Sequence, residues 1–245
     1  MVVVGNKFRS NYKQEDAHEF FLHVLDKLDE AEKKVHGNPK NKTIIQKIFE
    51  GECRQTITCD REDCGHASHT SQVFMDLSLD LISRNRDIKS SLEDFTRQET
   101  LSQDNQYKCE KCNNKSRAKK QTAIHSAPPI LTIHLKRFSP SGTRKNTNYI
   151  YFPEVLDMSP YMSKEAAEIP RYRLIATVCH HGMDWSGMSS GHYTANCKSA
   201  SGTWNNFDDT RVPLCSIFRL IKGLAYIAKR GIKGSGCLYL ALRQR

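Results

Sequence analysis

No apolar run in this 245-residue chain approaches the roughly 20 residues that a helix needs to cross a bilayer. The opening Met1-Val2-Val3-Val4 is too short for a signal-peptide core and carries no basic leader, so a nuclear or cytoplasmic location and no membrane partner are expected. Without a secretory signal, the nine cysteines are not expected to form a disulfide framework. Metal or thiol chemistry suits some of them, and ordinary burial suits the rest. Internal repeats and low-complexity segments are also missing, which leaves no signature of a repeat array. The net charge of +10 lacks a focus, because its basic residues are scattered. The densest cluster, Lys115 to Lys120, has none of the interleaved aromatics of a single-strand binder, so nucleic acid is not an expected partner.

What is present reads as α+β. In residues 14–35, Ala17, Phe20, Phe21, Val24, Leu25, Leu28 and Ala31 form the stripe of an amphipathic helix. Asn11 followed by Gln14 predicts its N-terminal cap, and Gly37-Asn38-Pro39 its end. A shorter helix is expected around Thr43–Phe49. From Gly51 the period changes to two. "RQTITC" and "SQVFMDLSLDL" read as strands, the latter with Val73, Met75, Leu77, Leu79 and Leu81 on one side. "PPILTIHLKRF" is expected to point Leu131, Ile133 and Leu135 inward and Thr132, His134 and Lys136 outward. Ser91–Phe95 predicts a helical turn, and further strands are expected at Tyr172–Cys179, Tyr193–Lys198 and Thr203–Phe207. Helices followed by many strands imply a largely antiparallel sheet.

Two close cysteine pairs stand out. Cys59 and Cys64 are separated by four residues, and Cys109 and Cys112 by two. Each short loop can present two thiolates to one ion, and two such loops complete a tetrahedral, structural zinc site with no open position for catalysis. The alternative is four free thiols or the remnant of a site.

His192 follows the glycine-flanked run Gly187 to Gly191 and opens a strand, which suits a general base that must receive a substrate. Asp208, at the end of the next strand, can orient the ring by accepting its second N–H. A lone histidine beside a glycine is more often structural, and no nucleophile declares itself nearby.

The segments "QEDAHEFF", "VFMDLSLDL", "YKCEKC", "ILTIHLKRF", "FPEVLDMSPYM", "SGHYTANC" and "WNNFDD" occur in the order found in the ubiquitin-specific proteases. The chain resembles these papain-like cysteine peptidases continuously from about Lys13 to Ile227. The resemblance implies a single catalytic domain, with partial thumb helices (1–49), zinc-bearing β fingers (50–125) and an antiparallel palm (126–230). It makes His192 the catalytic base, Asp208 its orienting carboxylate and Asp209 a further polarising group. It assigns Gln14, Asp16 and Tyr193 to the channel that holds ubiquitin's C-terminal tail; His18 and Glu19 are read as helix-packing residues. Cys59, Cys64, Cys109 and Cys112 become the zinc ligands of fingers that grip ubiquitin. Ubiquitin and ubiquitinated proteins are the implied partners, and "LDMSPYM" is most similar to a nuclear or nucleolar subgroup.

The pattern breaks at both ends. Family members begin with a block resembling "GLxNxGNTCYxNS", which supplies the nucleophilic cysteine and oxyanion donors. Nothing like it occurs here, so it is expected upstream of Met1, and the chain by itself is expected to be inactive. Cys53, Cys179 and Cys197, read as strand residues, are not expected to replace it. A non-catalytic ubiquitin-binding module is the alternative. At the other end Gly231, Gly234 and Gly236 argue against a closing strand, so residues 231–245 are expected to form an atypical tail.

Overall fold

The computed structural model describes residues 16–36, 41–82, 87–137, 146, 148, 150–181, 191–210, 214–215 and 234–244. Helix α1 (Ala17–His36) starts at the first residue of its apolar stripe. Its cap is Asp16, whose Oδ1 accepts the backbone N–H groups of His18 at 2.7 Å and Glu19 at 3.0 Å. The cap expected from Asn11 and Gln14 is thereby corrected, and both of those residues lie outside the described ones. Helix α2 (Ile44–Phe49) carries a capping box between Thr43 and Gln46, and Phe49 meets Phe21 of α1 edge to face.

Strands β1 (Gly51–Cys59) and β2 (Ala67–Phe74) form an antiparallel pair. The run read as one strand breaks at Met75-Asp76, and β3 (Leu77–Asp80) enters a different sheet. Val73 is therefore 64% exposed on an edge strand, while Leu77 and Leu79 are buried, so the shared face expected for all five residues is corrected. After helix α3 (Ile88–Phe95), capped by Asp87, come β4 (Glu99–Leu101), the short pair β5 (Tyr107–Lys108) and β6 (Lys115–Ser116), and β7 (Ala118–Ser126). The first sheet runs β2-β1-β7-β4.

The larger sheet adds β8 (Ile130–Lys136), β9 (Val155–Asp157), β10 (Arg171–His181), β11 (His192–Lys198), β12 (Trp204–Phe207), β13 (Leu214–Cys215) and β14 (Gly234–Arg243). Its order is β13-β12-β11-β10-β14-β8-β3, with β9 also on β10. Among the described residues every named pairing is antiparallel except β3 with β8. The expected tail is corrected here: β14 lies between β10 and β8, hydrogen-bonded to both. Its glycines fall at the end facing His181, where Gly234 pairs, while Leu238, Tyr239 and Ala241 are buried further along. Two flanking strands satisfy the backbone, and the apolar half supplies the burial that the glycines do not.

The core joins both sheets and α3 through Leu79, Leu92, Ile124, Leu131, Leu135 and Tyr172, all fully buried. Each such aliphatic side chain contributes about 1.5–3 kcal/mol on leaving water. Thr132 is fully buried and His134 half-buried, so the second face of β8 is not open to solvent as its alternation predicted. His134 stacks against His18 of α1, which shows what covers part of that face.

Candidate functional site

The β10–β11–β12 meander sets the site. In this register His181 pairs with His192, and Ala195 pairs with Phe207. One step beyond Phe207 places Asp208 opposite Thr194, diagonal to His192 and on its face. The even spacing of 16 residues is what lets the two side chains meet. His192 Nε2 lies 2.5 Å from Asp208 Oδ1, and both side chains are a little over two-fifths exposed. Asp209 turns the chain out of the strand with φ 50° and keeps its carboxylate in the same group. The imidazole pKa is raised above its ordinary value, first by the Asp208 hydrogen bond and further by the Asp208 and Asp209 charges. With Nε2 occupied, Nδ1 is the ring nitrogen left for another partner.

That raised pKa makes the His192 charge a probe of the contact. A raised folded pKa stabilises below the unfolded value and is lost as pH rises through the folded one. Asp208→Asn is therefore expected to move the His192 titration, followed by its ring NMR shifts, down toward about 6.5. An unchanged midpoint would mean that the carboxylate does not set it.

Tyr193 points to the other face, toward α1. Its hydroxyl accepts the Ala17 N–H at 3.4 Å, and its pKa is raised by burial and by the Asp16 charge. Asp16 and Tyr193 are thus neighbours, one residue from His192. Gln14 lies outside the described residues. Behind this corner His180 is 2% exposed, with its ring 4.7 Å from that of Tyr193. Gly191 abuts it: a Cβ at Gly191 would sit 2.1 Å from His180 Nε2 and 2.7 Å from the His181 carbonyl oxygen. The sequence reading took Gly191 only as a flexible residue. The one available signal was the doublet His180-His181 one strand away.

The four cysteines of the two pairs come together. Their sulfurs lie within 4.8 Å of one another, and Cys64 Sγ is 3.7 Å from Cys109 Sγ. Ligand sulfurs of a tetrahedral site with bonds of about 2.3 Å are separated by about 3.8 Å, whereas a disulfide would be about 2.05 Å. Cys59 ends β1, and Cys109 follows β5 in a turn that closes through Asn113 N–H to Cys109 O at 2.8 Å. The Ser116 hydroxyl and the Arg61 backbone N–H bring the Cys59 thiol down to about 7. Although the His66 backbone N–H favours its thiolate, burial and the neighbouring sulfurs push Cys64 up to about 11. Crowding of negative charge is what a divalent cation relieves, so these residues fit a closed metal site.

Two further cysteines have environments that disfavour the thiolate. Burial pushes Cys53 up to about 12 and raises Cys197 as well.

A family model described as ubiquitin carboxyl-terminal hydrolase matches residues 2–227. Over 231 residues the chain is 38% identical to the probable ubiquitin carboxyl-terminal hydrolase 16 of Schizosaccharomyces pombe, covering 92% of this chain and 49% of that protein. It is 35% identical over 219 residues to ubiquitin carboxyl-terminal hydrolase 17 of Homo sapiens, covering 88% and 40%. The chain thus spans less than half the length of these curated relatives. Among solved structures it superposes with a TM-score of 0.78 and 31% identity on a chain of the SAGA DUB module Ubp8/Sgf11/Sus1/Sgf73 bound to monoubiquitin, covering 96% of this chain and 49% of that one. A second structure of that module, bound to ubiquitin aldehyde, gives 0.76 and 28%, covering 96% and 50%.

Proposed function

Since the chain belongs to the ubiquitin carboxyl-terminal hydrolase family, among the ubiquitin-specific proteases, we propose that it supplies the base, the tail channel and the ubiquitin-gripping fingers of a thiol-dependent deubiquitinase. The observation that carries this reading is the His192–Asp208 contact, at the corner where Tyr193 meets the capped start of α1. In the reaction, a cysteine thiolate attacks the carbonyl carbon after ubiquitin's terminal glycine. The imidazolium of His192 gives its proton to the leaving lysine amine, and the acyl-enzyme remains. His192 then takes a proton from water, the hydroxide adds to the thioester, and the thiolate leaves. Asp208 holds the ring in place and stabilises its charged form, and Asp209 adds to the local negative field. Asp16 and Tyr193 line the channel for the extended tail, and the family resemblance extends that role to Gln14. The metal of the Cys59, Cys64, Cys109 and Cys112 site is Zn2+ with a structural role. Ubiquitinated proteins of the nucleus or cytoplasm are the substrates.

The 245 residues contain no counterpart of the family's nucleophile block, so the chain alone binds ubiquitin without cleaving it. That also favours the second reading, a non-catalytic ubiquitin-binding module. Calorimetric titration with ubiquitin is expected to show binding that weakens at least about tenfold, or about 1.4 kcal/mol, when ubiquitin's C-terminal tail is removed. A fluorogenic ubiquitin C-terminal amide is expected to stay intact. Turnover that His192→Ala abolishes would overturn the inactivity, and no measurable ubiquitin binding would overturn both readings.

A further inference from the structure

A second group of metal-ligating side chains lies away from the cysteine quartet, where the first turn of α1 meets the palm. The His18 and His134 rings stack with centroids 3.8 Å apart and 12° between planes. His18 Nε2 lies 3.1 Å from Asp76 Oδ2. The Ser78 hydroxyl donates to that same oxygen at 2.8 Å and contacts His134 Nδ1 at 3.1 Å. We propose that His18, Asp76 and His134 form a second metal site, for a divalent transition ion of the zinc class, which ties α1 to β3 and β8.

Four observations carry this. The three side chains can each bring one ligand atom within 4.8 Å of the others. The His18–Asp76 separation is close to the roughly 3.3 Å between N and O ligands of a tetrahedral zinc ion with bonds of about 2.0–2.1 Å. His18 Nε2 is buried and makes no hydrogen bond of acceptable geometry despite that proximity, so the carboxylate alone does not satisfy it. Ser78 bridges two of the three groups and pre-orients them, the part that outer hydrogen bonds play in metal sites.

The donor set agrees with the geometry: two imidazoles and one carboxylate meet at one point. Two stacked imidazoles cannot both be protonated cheaply, whereas a cation accepts both as neutral ligands beside one carboxylate. That mixed nitrogen and oxygen set suits zinc or cobalt rather than calcium or magnesium. Three protein ligands leave at least one coordination position for water. Asp16, the α1 cap, stands two residues before His18, so an ion here fixes the helix start that meets Tyr193.

The test uses the full chain with its cysteine site first filled with Zn2+, then titrated with Co2+. One further equivalent of Co2+ is expected, with weak visible d–d bands and no thiolate charge-transfer band. His18→Phe, which keeps a ring against His134, and Asp76→Asn are each expected to lose that equivalent. His18→Phe should melt at the parent temperature in chelator. His192→Ala is expected to retain the equivalent, which separates this site from His192, Asp208 and Asp209. No further uptake, uptake showing thiolate charge transfer only, or uptake that His18→Phe leaves unchanged would overturn the site. None of these outcomes depends on ubiquitin binding or cleavage.

Discussion

Cys109→Ser is expected to strip the metal from the fingers and melt their tip, while the palm survives. Cys109 is fully buried, and its sulfur touches that of Cys64. A serine hydroxyl is a poor ligand for zinc, and the three remaining thiols then crowd in a space shaped for an ion. Structural zinc binding in small finger peptides is worth about 10–16 kcal/mol near pH 7. That is as large as the roughly 5–15 kcal/mol that holds a whole domain together. The loss need not be global, because β1 and β7 pair along their lengths and the core cluster that joins the two sheets contains none of the four ligand cysteines. The β5–β6 hairpin has only two paired positions, Tyr107 with Ser116 and Lys108 with Lys115, so it depends on the metal. Elemental analysis should find about one zinc per chain in reduced wild-type protein with the second site empty, and almost none in the variant. Hydrogen exchange should lose protection around residues 105–116 first. Absence of zinc from freshly purified, reduced wild type would refute the assignment, as would full protection of the hairpin in Cys109→Ser.

The sequence carried the chemistry better than it carried the connectivity. Cysteine spacing and the short separation of His192 and Asp208 are local or near-local signals, and the fold brings the side chains of each group close together. Helix α1 was legible from its stripe, but its true cap, Asp16, was hidden by a competing polar residue upstream. In "SQVFMDLSLDL" every odd position from Val73 to Leu81 is apolar, so that period does not mark Met75-Asp76 as the passage from one sheet to another. Strand β7 lies inside the smaller sheet, yet Lys119 and Lys120 masked the inward positions Ala118 and Ile124. Strand β14 was missed because propensity counts glycines, whereas tertiary pairing with β10 and β8 overrides them. The His18–Asp76–His134 group joins three segments far apart in the chain, and no spacing rule reaches that distance.

Gly191→Ala is expected to damage the site more than loss of any single contact around it. The added methyl would lie 2.1 Å from His180 Nε2 and 2.7 Å from the His181 carbonyl oxygen. The ring belongs to a side chain 2% exposed and packed against Tyr193, so it has little room to swing away. The carbonyl is backbone, in a strand held on both sides by β11 and β14. Relief therefore comes by moving residue 191 outward, and His192 follows because it pairs with His181 at that same point. Overpacking of this kind costs about 1–3 kcal/mol, occasionally more. For a chain of this size each kcal/mol lowers Tm by about 2–4 °C. The His192 titration is expected to fall toward about 6.5 as its carboxylate contact opens. His180→Ser creates space, so the double variant should recover part of both losses even though His180→Ser alone also destabilises. The coupling measured by that cycle isolates the steric contact. Full additivity, or a Gly191→Ala protein with unaltered Tm and His192 titration, would show that the backbone gives way without moving the histidine.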